Sequence, residues 1–299
     1  LYDAPGPKAR TRNAGYTVLF AVGLAAVIWW IISSMAEKGQ LDSAKWSPFA
    51  TDSRIWTEFL LPGLGNTLLA AALSIVIALP IGAAAGIARL SDHAWIRVPV
   101  GAVVEFFRAV PVLILMIFAS EFYFAFTDVV SEDRALFAIV TGLVLYNGSV
   151  LAEVVRAGIL SLPKGQTEAA AALGMRKTQI MTLILLPQAV SAMLPAIVSQ
   201  LVVVLKDTAL GGAILGLSDL FSQTRLISNN YGANTIATLV VVAAIYVALN
   251  LLLTSLASWL ERRTRRRRRG GPAAPITADM VEEQAPGLHR LPAAPGQAV

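Results

Sequence analysis

Cysteine is absent from this 299-residue chain, and histidine occurs only twice. The first absence excludes disulfide frameworks, thiol nucleophiles and Cys-based zinc or iron–sulfur sites. The second, with only 19 Asp and Glu lying mostly in connecting segments, argues against an all-protein metal site. Charge is scarce as well: 14% of residues are charged, against about 25% in an average soluble domain. What is abundant is apolar. Hydrophobic residues reach 56%, where about 45–50% is usual, and mean hydropathy is +0.65. This composition excludes intrinsic disorder for most of the chain, and it excludes an ordinary soluble enzyme. The net charge of +5 is local, because seven arginines crowd into 262–269.

A helix needs about 20 mainly apolar residues to cross a bilayer core about 30 Å thick. Stretches 14–36, 59–88, 98–127, 135–160, 178–205 and 235–260 qualify. Glu105, Arg108 and Glu121 interrupt the third, and Glu153 and Arg156 the fourth. Asn229, Asn230 and Asn234 crowd the start of the last apolar run, which places the start of its helix near Thr235. The expected fold is an all-α integral membrane protein with six transmembrane helices. Basic residues precede the first span as in a signal peptide, but its length and the lack of a small-x-small pattern in 31–36 mark an uncleaved helix. The organisation is then a basic N-terminus (1–13), a first helix (14–36), a linker (37–58), a core (59–260) and a basic tail (261–299). The tail, rich in Pro, Ala and Gly, reads as disordered.

Lys and Arg fix the expected orientation. With the N-terminus inside, the inner segments hold Lys8, Arg10, Arg12, Arg89, Arg97, Arg108, Arg156, Lys164, Arg176, Lys177 and the whole arginine run. The outer ones hold only Lys38, Lys45, Arg54, Arg134, Lys206 and Arg225. This asymmetry places both termini in the cytoplasm. The arginine run, directly after a membrane helix, suits anchoring or contact with anionic lipid better than nucleic acid.

The connection between the fourth and fifth spans carries the sharpest pattern. It runs Leu162-Pro-Lys-Gly-Gln-Thr-Glu168-Ala-Ala-Ala-Ala-Leu-Gly174-Met-Arg-Lys-Thr and continues to Ile184-Leu-Leu-Pro187. Segment 166–173 reads as a short helix, with Pro163 and Gly165 before it and Gly174 as its stop. Its alanines make it slim enough to enter a groove. Arg176 and Lys177 suit the negative helix end, and Glu168 the positive one. A surface-lying amphipathic helix would need a broader apolar face.

This loop resembles the signature of ATP-binding-cassette importer permeases at every fixed position: Glu168-Ala-Ala, Gly174, Ile184 and Leu186-Pro187. The resemblance implies a five-helix type I importer core, with 14–36 as an extra N-terminal helix. It also implies that the loop is a cytoplasmic coupling helix, with Glu168, Ala169, Ala170, Gly174 and Arg176 docking on an ATPase subunit. Leu61-Pro-Gly-Leu-Gly-Asn-Thr67-Leu, Glu105-Phe-Phe-Arg108-Ala-Val-Pro111, Glu153-Val-Val-Arg156-Ala-Gly158 and Leu205-Lys-Asp-Thr208-Ala-Leu210 are similar to the polar amino acid uptake subgroup. The start of the chain and its basic tail look most like glutamate uptake permeases of actinobacteria. Leu115 and the run Gly148-Ser149-Val150 depart from the subgroup, so the resemblance does not carry over a substrate. Partners implied are two ATPase subunits, a second permease subunit (itself or a similar chain) and an extracytoplasmic substrate-binding protein. The implied location is the bacterial cell membrane.

Charged groups inside a membrane need partners, water or a role. Glu105 with Arg108, and Glu153 with Arg156, are spaced to pair along a helix face. Asn147 and Ser149 lie nearer mid-membrane, where transporter sites are common. Two readings stay open for them: Asn147, Ser149, Glu153 and Arg108 line a translocation path, or they make helix–helix bonds. Lys206 and Asp207 are placed just beyond the fifth span, as a pair that shapes the outer gate or, the favoured reading, as a cap. No Gly-x-x-x-x-Gly-Lys-Ser/Thr loop occurs, so the chain carries no phosphate cradle of that kind and no ATPase site of its own. No cofactor is expected on this chain, and ATP would be used by the partner. The alternative is an ion-coupled secondary amino acid transporter, which leaves the 168–174 pattern unexplained. A membrane enzyme lacks a convincing centre, since His93 falls in a loop and His289 in the tail.

Overall fold

The computed structural model describes residues 6–268, and the regular elements among them are helices. The chain divides into two units at Thr254. Helix α1 spans Pro7–Glu37 and opens on a proline, whose missing N–H costs nothing in a first turn. None of its most apolar stretch is buried, and Tyr16, Phe20, Trp29 and Trp30 are exposed. Such a surface suits lipid. Two one-turn helices, Ser43–Trp46 and Pro48–Thr51, form the linker. Lys45 Nζ donates to the Gly232 carbonyl at 2.7 Å, and the Tyr231 hydroxyl to Asp52 at 2.8 Å.

A π-turn, Ile55–Leu60, runs directly into α2, Leu61–Ala88, giving one apolar span. Helices α3 (Ala94–Ala109) and α4 (Val112–Phe126) follow. The sequence reads 98–127 as one span; the structure makes it two helices that meet at a 102° bend, a broken span or a re-entrant loop. Pro111 is the reason. Its ring disfavours α geometry in the preceding residue, and Val110 is extended at φ −85°, ψ 129°. Helix α5, Ser131–Leu160, then leads to the short α6, Lys164–Ala172. A second π-turn, Ile180–Leu185, opens α7, Leu186–Leu215, which ends on Gly216 in left-handed geometry. Lys206 and Asp207 therefore lie inside α7, not beyond its end. Helix α8 covers Gln223–Asn230, and α9 starts at Thr235, as expected. Helix α9 runs on to Arg268, so the first residues of the expected tail are helical. Positions 269–299 lie outside the described residues.

Helix α5 is the centre of the first unit and packs on α2 most extensively, then on α4 and α7. In lipid no hydrophobic effect pulls helices together, so close packing must do it, and small residues permit it. A Cβ on Gly82 would stand 2.8 Å from the Gly148 carbonyl oxygen, and one on Gly86 2.6 Å from that of Ala152. The α2 and α5 backbones thus touch along two turns. Met116, Ile139, Leu143, Val204 and Leu205 fill the core where α4, α5 and α7 meet.

Candidate functional site

Helix α6 begins two residues earlier than the sequence suggests, with Pro163 as its cap and Gly165 inside it. Its end is closed in one specific way. Gly174 N–H donates to the Ala171 carbonyl at 2.9 Å, and Met175 N–H to that of Ala170 at 3.2 Å. This pair of bonds is the Schellman closure, which needs a left-handed residue after the cap. Gly174 supplies it at φ 76°. Ala170 is buried in a cluster with Val155, Ile180 and Met193, half-buried Met175 packs against it, and together they fasten the helix to its own chain. Glu168, Ala169 and Arg176 are exposed. So is Leu173, at 83%. Leu173 is a functional candidate that the sequence reading passed over; its signal was an apolar residue directly before the glycine stop. Glu168, fifth in a helix of nine residues, lies further from the positive end than expected.

Beside α6, Lys177 Nζ donates to Asp92 and, at 3.2 Å, to the Leu90 carbonyl. The Lys177 bond holds the Asp92 carboxyl below its ordinary value. A cavity of about 480 Å³ opens there, lined by Ile87, Leu90, Asp92, His93, Lys177 and Met181.

The two expected ion pairs form, one on α5 and one on α3. Arg156 Nη2 reaches Glu153 at 2.8 Å, and Arg108 Nη1 reaches Glu105 at 3.4 Å. A third arginine joins them. Arg89, at the end of α2, donates from Nη1 to Glu153 at 2.7 Å and from Nη2 to Glu105 at 2.9 Å. Glu153 and Arg108 are thereby placed in one cluster, while Asn147 and Ser149 are elsewhere. Asn147 is fully buried, donates to the Leu143 carbonyl at 2.9 Å, and accepts from Gln200 of α7. Ser149 is buried and donates to the Leu145 carbonyl at 2.8 Å. Two residues apart, they occupy different faces of α5. Within this single chain, Asn147 bonds one helix to another. Glu121 is exposed on α4.

Residues 78–266 match the family of binding-protein-dependent transport system inner membrane components. The chain is also 46% identical to the glutamate transport system permease protein GluD of Corynebacterium glutamicum, over 85% of this chain and 91% of that protein. The chain belongs to this family. A second relative is the glutamate/aspartate import permease protein GltK of Escherichia coli O6:H1, 31% identical over 69% of this chain and 93% of that one. Among solved structures, an amino acid ABC transporter superposes with a TM-score of 0.61 at 29% identity, covering 70% of this chain and 95% of that one.

As a member of this family, the protein is a multi-pass membrane permease. Five described helices are long and apolar enough to cross, and the bent α3–α4 pair adds a sixth if it crosses as one span. Arg89 is the charged group that sequence reasoning missed. It stands at the end of an uncharged span, so it read as one more positive residue in a loop.

Proposed function

We propose that this permease subunit carries a polar amino acid inward, glutamate or a related acidic amino acid, driven by ATP hydrolysis on separate subunits. The observation that carries the reading is α6: a slim helix, closed by Gly174, whose Glu168, Ala169, Leu173 and Arg176 project from the bundle. A surface of that shape suits insertion into a groove of an ATPase subunit. The names of the relatives support the amino acid cargo. Two ATPase subunits, a second permease chain and an extracytoplasmic binding protein complete the machine. The permease sits in the cell membrane with both termini and α6 on the cytoplasmic face. Asn147, Ser149, Glu153 and Arg108 are the candidates for groups along the path. ATP binds the partner, and this chain needs no cofactor of its own.

The test is uptake in proteoliposomes holding the permease, the ATPase and the binding protein, with ionophores collapsing every ion gradient. Import that requires ATP and the binding protein is the expected result. Import that ignores ATP but stops with the gradients would make the protein an ion-coupled secondary transporter instead.

A further inference from the structure

Helix α6 hangs from the end of α5 by the short turn 161–163. Helix α5 in turn touches the backbone of α2 at Gly82 and Gly86. A force on α6 would therefore reach α5 through that turn, and α2 through the glycine contacts. Helix α3 is held differently. It buries a single side chain, Val104, and packs more thinly on those two helices. Near its bend, Glu105 is caught by Arg89, the residue directly after α2. The two halves of the Arg89 fork are not alike. The Glu153 side chain is 25% exposed and that of Glu105 is 59% exposed, while Arg89 itself is 13% exposed. Water competes well for an exposed ion pair and poorly for a sheltered one. The Arg89–Glu153 half is then a fixed anchor, and the Arg89–Glu105 half can open and close while α2 and α5 stay together.

We propose that Arg89 is a positioning residue for transport: a latch that ties the α3–α4 elbow to the α2–α5 body bearing α6, so that movement at α6 reaches the elbow. This rests on the transport reading above. A planar fork with several fixed donors can hold two carboxylates at once, which the point charge of lysine does less well. Arg108 pairs with Glu105 and Arg156 with Glu153, so each glutamate keeps a partner when the latch is open.

The experiment measures ATP hydrolysed per amino acid imported in proteoliposomes with the ATPase and the binding protein. It compares Arg89→Gln, Glu105→Gln, their double variant and Arg89→Lys. Arg89→Gln is expected to co-purify with the ATPase as the wild type does, and to raise the ratio about fivefold or more, the low end of common coupling factors. Glu105→Gln should match it, the double should be no worse than either, and Arg89→Lys should fall between. Additive effects in the double would show independent roles and overturn the latch. An unchanged ratio in Arg89→Gln would overturn it as well. So would loss of assembly in Arg89→Gln beside a wild-type ratio in Glu105→Gln. Failure of the transport reading shows separately, as wild-type uptake that ignores ATP, and it removes the latch with it.

Discussion

Gly174 has open space around the position of a Cβ, yet its φ of 76° disfavours any side chain. The two facts separate strain from crowding. For an ordinary residue the left-handed region costs about 1–2 kcal/mol, while asparagine tolerates it better. Gly174→Asn should keep ATPase co-purification and most uptake. Gly174→Val, with a branched Cβ, should leave the protein in the membrane and lose both. Gly174→Asp tests charge, because its carboxylate opposes the negative end of α6; it should fall well below Gly174→Asn. Wild-type docking and uptake in all three variants would show that closure of α6 does not matter for docking. Glu168→Ala should be mild, since the helix-end field fades within the first turn and Glu168 is beyond it. Gly174 was legible in the sequence because its requirement is local: a helix stop needs that backbone geometry. Arg89 was not, because its partners stand 16 and 64 residues away. Only the folded packing of α2, α3 and α5 brings them together.

Spans are legible from apolar length, but bends within them are not. Pro80, Pro99 and Pro195 all lie inside helices, so proline alone does not mark a break in a membrane segment. Pro111 breaks the chain because Val110 turns extended in front of it, and the pattern of apolar residues continues straight through. The same continuity hides the length of α7, which carries Lys206 and Asp207 for two further turns before Gly216 ends it. Between elements, the Asn147–Gln200 bond joins α5 to α7 inside the core. Side-chain bonds between membrane helices average about 0.6 kcal/mol and reach about 1.7. A double-mutant cycle with Asn147→Ala and Gln200→Ala, read by unfolding in detergent, should give a coupling energy in that range. Uptake kinetics of Asn147→Ala then divide the two readings of this residue. An unchanged KM places Asn147 with the helix–helix bonds, and a raised KM places it on the path.

The whole molecule is ordered by its alternation across the membrane. Helix α5 has 30 residues, so at about 1.5 Å each its ends lie roughly 45 Å apart, enough to stand on opposite sides of a bilayer. Ser131 opens that helix, and Thr178 follows α6 beyond its other end; both are exposed. The positive-inside reading of the sequence predicts that the Thr178 side faces the cytoplasm. The chain has no cysteine, so a single introduced thiol is read against no background. In intact cells a membrane-impermeant thiol reagent should label Ser131→Cys and spare Thr178→Cys. Permeabilised cells should label both. The reverse pattern would put α6 outside, away from any cytoplasmic ATPase, and the coupling role of the Gly174-closed helix would fall with the topology. Labelling of neither position in permeabilised cells would contradict the exposure of both residues and with it the packing of α5.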